Sequence, residues 1–146
     1  MLASVNLSTL RLIGCTALYE AGFIATLASL RALSVFGCPG IQDLNALSRL
    51  KDLQTLIVFD LKCNIPQVRW VAKLRTILLM SCEQLGGLAF LQGQSELIML
   101  MISDNSRISD LGSLKEAVKL VGVNVMRCTA LTDISALGRH VRMQSI

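Results

Sequence analysis

The cysteines are the residues of this chain whose type and spacing first suggest chemistry. Of the five cysteines, four recur at one position of a repeating pattern, and an asparagine takes that position in another copy. These residues are Cys15, Cys38, Cys82, Cys128 and Asn105. Zinc sites commonly pair cysteines separated by about two to four residues, whereas the recurring cysteines lie 23 or more residues apart. A row of thiols along one axis makes a poor tetrahedral cage, so we predict no metal and no cofactor.

A second recurring position carries mostly acidic or amide side chains. It reads Glu20, Asp43, Asn64, Gly87, Asp110 and Asp133. An acid repeated in successive units favours a structural role over a catalytic one, because its oxygen can cap free N–H groups at the start of a turn, as Asp43 before Leu44 would do. The single histidine, His140, lies near the end of the chain, and no nucleophile paired with a base and no phosphate loop is visible. We therefore predict that the protein is not an enzyme.

The elements that must position these residues follow from repetition of the motif L-x-x-L-x-L. Its copies begin at Leu7, Leu30, Leu53, Leu74, Leu97 and Leu120, at intervals of 23, 23, 21, 23 and 23 residues. Within one copy, the alternation of Leu33 and Val35 predicts a short strand with one apolar face. Leucines spaced by three from Leu44 to Leu53 predict a 3₁₀ or short helical return segment. One such coil cannot bury its apolar side alone, so stacked coils with a parallel sheet are expected.

The full unit reads L-x-x-L-x-L-x-x-C/N-x-x-L/I-x-D-L/I and is clearest in residues 30–47 and 120–137. It resembles the leucine-rich-repeat family and is most similar to the cysteine-containing 23-residue repeats of trypanosomatid proteins. The resemblance implies an α/β solenoid of about six coils, with a parallel concave β-sheet and short 3₁₀, helical or extended convex segments. It also implies that the inward cysteines and Asn105 bond backbone groups where each strand turns away.

The repeat predicts one domain over residues 1–146, with strands starting near residues 7, 30, 53, 74, 97 and 120 and a partial seventh strand from residue 143. No capping segment is visible at the ends, which favours a longer array or end-to-end self-association. The third coil is two residues shorter than its neighbours, with the deletion between Val58 and Ile65. In this coil Pro66 suits the start of a turn, Trp70 is predicted to cover the outside of the return segment, and Cys63 is the best candidate for an exposed thiol.

The predicted binding surface follows from the strands, because side chains alternate across a pleat and the positions between inward residues must face the concave side. Six apolar residues form the predicted concave patch: Phe36, Ile57, Phe59, Leu78, Met80 and Met101. Its predicted rim consists of Arg11, Arg31, Arg75, Asp104 and Arg127. Contiguous exposed apolar patches usually mark a partner, and methionines and aromatic anchors are common at protein interfaces. The alternative is that other parts of the same protein cover this patch, or that it is sequence drift.

Composition narrows the remaining classes of function. The net charge of +4 comes from residues spread singly along the chain, unlike the basic clusters of nucleic-acid-binding proteins. Apolar stretches such as residues 97–102 are far shorter than the roughly 20 residues that span a bilayer. No secretory signal is visible, so we expect a cytoplasmic or nuclear location and reduced thiols.

The main hypothesis is accordingly a protein–protein interaction scaffold that uses its concave face. The resemblance leaves open two narrower roles within binding: a substrate-recognition fragment of a ubiquitin-ligase assembly, and a phosphatase-regulator-like subunit. A structural spacer whose concave face binds nothing is the alternative from a different class.

Overall fold

Six strands form one parallel sheet in which the spatial order of the strands equals their order in the chain. The computed structural model describes residues 6–65, 70 and 72–139. The strands are β1 (Thr9–Ile13), β2 (Ala32–Phe36), β3 (Thr55–Phe59), β4 (Thr76–Met80), β5 (Met99–Ser103) and β6 (Gly122–Met126). In the described residues, five 3₁₀ helices lie between or after them: η1 (Gly22–Thr26), η2 (Asn45–Arg49), η3 (Ala89–Leu91), η4 (Gly112–Glu116) and η5 (Ser135–Arg139). The prediction of a solenoid with about six coils is confirmed.

We number the coils by the first leucine of each motif, so that coils 1 to 6 begin at residues 7, 30, 53, 74, 97 and 120. Each strand begins two residues after that leucine, as β2 does at Ala32. The reason is that Leu30 still belongs to the preceding turn: its N–H donates to the Leu27 carbonyl at 2.9 Å. Bonds across the sheet begin with Arg31 and Ala32, whose N–H groups both donate to the Ser8 carbonyl. Each strand thus begins within two residues of the start predicted from the motif.

The core lies between the sheet and the return segments, and the strand register aligns its side chains in rows. Leu33 lies beside Leu56, and Val35 lies beside Val58. All four side chains are fully buried. Burial of one leucine side chain stabilises the fold by about 1.5–3 kcal/mol relative to its exposure. Because each coil supplies only half of the space around its own leucines, this stabilisation exists only when coils stack.

The return segments are built as the three-residue spacing of leucines predicts. The Leu47 N–H donates to the Leu44 carbonyl at 3.0 Å, and the Leu50 N–H donates to the Leu47 carbonyl at 3.2 Å. Each is the i to i−3 bond of a 3₁₀ turn, which places every third side chain on one buried stripe. Asp43 precedes this turn, and its Oδ1 accepts the Asn45 N–H at 3.0 Å.

The same cap recurs in coils 5 and 6. Oδ1 of Asp110 accepts the Gly112 N–H at 2.8 Å, and Oδ1 of Asp133 accepts the Ser135 N–H at 2.8 Å. The hydrogen bond from the Ser135 backbone lowers the pKa of Asp133, because it favours the ionised carboxylate. These acids therefore cap the start of the return segments.

The shortened coil 3 is the place where two expectations from the sequence are wrong. Trp70 does not cover the outside of the coil: its side chain is buried, and its ring lies 4.9 Å from that of Phe90. An indole contributes more by burying its large apolar area than by lying on a surface, and Phe90 of coil 4 provides an aromatic neighbour inside. Cys63 is also buried rather than exposed, and this burial raises the pKa of its thiol to about 11.

Three further expectations, in the third coil and at the chain end, concern residues outside the described part of the chain. Pro66, predicted to start a turn, lies outside the described residues, as do His140 and the partial seventh strand predicted from residue 143. Within the described residues, no helix is long and apolar enough to cross a membrane.

Candidate binding surface

Three outward rows of side chains cross the six strands on the concave face. The first row contains Thr9, Ala32, Thr55, Thr76, Met99 and Gly122. The middle row contains Arg11, Ser34, Ile57, Leu78, Met101 and Asn124. The last row contains Ile13, Phe36, Phe59, Met80, Ser103 and Met126. Sequence reasoning named only the middle and last rows; the same two-residue alternation would have found the first.

The strand register places the six residues of the concave patch side by side. In the middle row, Ile57 pairs with Leu78 and Leu78 pairs with Met101. In the last row, Phe36 pairs with Phe59 and Phe59 pairs with Met80. Neighbouring strands lie about 4.8 Å apart, so each row is a continuous apolar ridge.

Exposure varies across this patch. Phe59 is the most open of its members, with 42% of its surface accessible, and the other five are half-buried. Met99 of the first row, 38% exposed, extends the apolar surface beside Met101. Ser103 is buried and ends the apolar run of the last row at β5. The concave patch thus faces outward, and its large side chains lie side by side on neighbouring strands, where each partly covers the next.

A left-handed residue follows every strand and turns the chain away from the sheet. These residues are Gly14, Gly37, Asp60, Ser81, Asp104 and Arg127, with φ between 50° and 61°. Each of the first five donates its N–H to the last residue of the next strand, as Gly37 does to the Phe59 carbonyl at 3.0 Å. The turn therefore continues the hydrogen-bond ladder beyond the strands while it redirects the chain.

The predicted rim residues occupy both edges of the sheet. Arg31 and Arg75 immediately precede β2 and β4, and Arg11 lies in the middle row on β1; all three are exposed. Asp104 and Arg127 follow β5 and β6 and pair with each other, with Arg127 Nη2 2.8 Å from Asp104 Oδ2. The hydrogen bond from Arg127 lowers the pKa of Asp104 because it favours the carboxylate.

The cysteine ladder, defined as Cys15, Cys38, Cys82, Asn105 and Cys128, lies directly after these left-handed turns. Each of its side chains reaches the carbonyl two residues before it, as Cys38 Sγ does to Phe36 O at 3.4 Å and Asn105 Nδ2 does to Ser103 O at 2.7 Å. Asn105 also bonds the neighbouring coil: its Oδ1 accepts the Cys82 N–H at 3.0 Å and its Nδ2 donates to Leu79 O at 3.0 Å.

The ladder thiols do what Asn105 does, but more weakly. Cys82 Sγ lies 4.0 Å from the Val58 carbonyl of the coil before it, and Cys128 Sγ lies 3.9 Å from the Ile102 carbonyl. Burial raises the pKa of Cys82 to about 11, so the thiol stays protonated at neutral pH. Leu61 holds the ladder position of coil 3 and has no polar side-chain atom. In the described part of the chain, no group of three or more His, Cys, Asp or Glu side chains could hold a metal ion.

Comparison with known proteins bears on the fold. No protein-family model matches the sequence, and no curated protein matches it. Among solved structures, internalin C2 of Listeria monocytogenes is similar, with a TM-score of 0.72 and 22% sequence identity over 88% of this chain. The fold is a leucine-rich-repeat solenoid. The chain spans 56% of that internalin's length, and the likeness at this level of identity extends to the leucine-rich-repeat architecture alone.

Proposed function

We propose that this leucine-rich-repeat chain is a protein-interaction scaffold that binds another protein with its concave patch. The observation that carries the proposal is the register of β2 to β5, which places Phe36, Phe59 and Met80 in one row and Ile57, Leu78 and Met101 in the next. Large apolar side chains on the outside of a sheet gain little from the fold's own core. They are the kind of side chain that forms the anchors of protein interfaces.

The proposal includes the setting in which the scaffold works. We take residues 1–146 as one repeat domain, located in the cytoplasm or nucleus, with no catalytic role, cofactor or nucleic-acid or membrane partner of its own. The buried, protonated thiols of Cys63 and Cys82 support a reducing compartment. The cysteine ladder supports the finer resemblance to the cysteine-containing repeats of trypanosomatid proteins. No residue described above favours ubiquitin ligation or phosphatase regulation over other binding roles.

The test compares affinity capture by the wild-type chain with capture by a double variant, Phe36→Asp with Phe59→Asp. Phe23→Asp is the matched control, because Phe23 is an equally exposed phenylalanine, 44% accessible, that lies on η1 away from the concave face. Circular dichroism first verifies that all three proteins are folded. We expect proteins retained by the wild type and by Phe23→Asp to be lost by the double variant.

Two other results would count against the proposal. Retention of the same proteins by the double variant would show that binding does not use the concave patch. Absence of any selectively retained protein would favour the structural spacer.

A further inference from the structure

We propose that the partner of the concave patch is an acidic protein segment whose carboxylates lie against Arg31 and Arg75 at one edge of the sheet. The inference rests on the proposed function and specifies the chemistry of the partner. It is carried by a difference in charge between the two edges that border the patch.

The amino edge, made of the three residues before each strand, is cationic. Its basic residues are Arg31, Lys73, Arg75 and Lys119, and its acidic residues are Asp52 and Glu96. Glu96 is already used within the fold, because Lys119 Nζ lies 2.7 Å from its carboxylate. Asp52 and Arg31 line one shallow concavity, yet among the described residues no carboxylate lies within ion-pair distance of Arg31 or Arg75.

The carboxyl edge, made of the residues just after the strands, is balanced. Its charged residues are Asp60, Lys62, Glu83, Asp104, Arg107 and Arg127. Lys62 Nζ lies 2.9 Å from Asp60 and 3.7 Å from Glu83, and Arg127 pairs with Asp104. The three acids and two of the three bases are thus satisfied inside the molecule, and little charge is left to attract a partner.

Arg31 and Arg75, which form no ion pair with a described residue, have a defined spacing on the amino edge. Gln54 lies between them: its N–H donates to the Arg31 carbonyl at 2.9 Å, and its carbonyl accepts the Arg75 N–H at 2.8 Å. The backbones of Arg31 and Arg75 are two strand spacings apart, a distance of about 10 Å. Carboxylates three residues apart in an extended chain, or two turns apart on a helix, span this distance. Arg11, exposed on β1, adds a third cation on the same face.

A partner on this site would combine two features. Apolar side chains would cover Ile57, Phe59 and Leu78, and acidic side chains would lie toward Arg31 and Arg75. Charges at the border of an apolar contact mainly raise the association rate and select the orientation of the partner. The amino edge therefore predicts which side of the bound segment carries its acids.

The test uses a displayed library of random linear peptides, selected on the full chain. We expect enriched peptides to combine apolar residues with Asp or Glu. A synthetic peptide from the enriched set should bind an Arg31→Glu, Arg75→Glu double variant at least about tenfold more weakly, chiefly through slower association, and added salt should reduce this difference. The matched control is Arg49→Glu with Lys115→Glu, which changes net charge equally at two exposed residues on η2 and η4. Its affinity should stay within about twofold of the wild type.

The other outcomes separate this inference from the proposed function. The proposal of an acidic partner is overturned if the enriched peptides show no acidic bias, or if they bind the double arginine variant with unchanged affinity. The concave patch remains the proposed binding surface if Phe36→Asp with Phe59→Asp abolishes binding of these peptides. Failure to enrich any peptide overturns the acidic segment and leaves the proposed function to the capture experiment. The acidic-partner proposal would also be overturned, in favour of a nucleic-acid site, if a fluorescent single-stranded oligonucleotide bound the chain and this binding needed Arg31 and Arg75 but not Phe59.

Discussion

Removal of the Asn105 side chain should be among the most destabilising changes to a polar residue in this fold. The side chain is fully buried and joins coil 5 to coil 4. In Asn105→Ala the buried Cys82 N–H loses its acceptor, which costs about 1–3 kcal/mol. The lost donations to the Leu79 and Ser103 carbonyls cost about 0.5–1.5 kcal/mol each, and less at Ser103 because its carbonyl keeps the Ser81 N–H at 3.0 Å. We expect a loss of about 3 kcal/mol in the free energy of unfolding.

A second substitution at this position tests the comparison with the cysteine ladder. Asn105→Cys installs the side chain that most other coils carry there. A thiol donates weakly to the carbonyl two residues before it and to one in the neighbouring coil, as Cys128 does to Met126 and Ile102. Its sulfur is also a weak acceptor for the Cys82 N–H. The loss should therefore be smaller, about 1–2 kcal/mol, because one weaker contact replaces each amide bond. Asn124→Ala, on the half-buried middle row of β6, should change stability by less than about 0.5 kcal/mol.

The assay is urea unfolding followed by far-ultraviolet circular dichroism and by the fluorescence of Trp70, which is the single tryptophan of the chain and is buried. The prediction requires Asn105→Ala to be least stable, Asn105→Cys intermediate and Asn124→Ala close to the wild type. The reasoning is refuted if Asn105→Ala lies within about 0.5 kcal/mol of the wild type, because the Cys82 N–H would then cost nothing when it loses its acceptor. It is also refuted if the Ala and Cys variants are equally stable.

Two further predictions concern the backbone and the thiols. Gly37 has φ of 55° and open space where a Cβ would lie, so Gly37→Ala should lower the free energy of unfolding by about 1 kcal/mol through backbone strain alone. Gly86 also has open space there but no left-handed φ, so Gly86→Ala should be nearly neutral in the same urea assay. Because burial raises the pKa of Cys82 from 9.0 to about 11, its contribution to stability is complete below pH 9 and is lost as the pH rises toward 11, at about 1.4 kcal/mol per pH unit. Stability measured over this range should fall less steeply in Cys82→Ala; equal slopes would contradict the shift.

Much of the fold follows from the sequence because the repeat provides its own alignment. The 23-residue interval brings equivalent residues such as Leu33 and Leu56 side by side, and the three-residue spacing from Leu44 gives the 3₁₀ return segment. Each strand begins two residues after the first leucine of its motif, a detail that the pattern does not show, because that leucine looks identical whether it ends a turn or begins a strand. The hydrogen bond that the N–H of this leucine makes distinguishes a turn from a strand, and the sequence pattern does not show which bond forms.

The errors in coil 3 have a different origin. Cys63 lies between Val58 and Ile65, where two residues are missing, so no coil of equal length indicates which way its side chain points. Trp70 lies after this segment, and its position in the repeat does not show that it packs against another coil. Their burial depends on neighbours such as Phe90, 20 residues away in sequence from Trp70. For the surface, alternation predicted which side chains face outward, while the pairing of charges at the two edges depends on side-chain conformations that no spacing rule encodes.

The identity of chain order and sheet order also determines how the molecule can come apart. Among the described elements, each strand pairs only with the strands before and after it, and the contacts between 3₁₀ helices join only adjacent ones, as η1 with η2 and η4 with η5. Local unfolding of coil 1 therefore removes the contacts on one side of coil 2 but no direct contact of coil 5. Hydrogen exchange should then be graded along the axis, with protection rising inward from the outer coils, and mechanical tension should peel coils one at a time rather than break the whole domain at once.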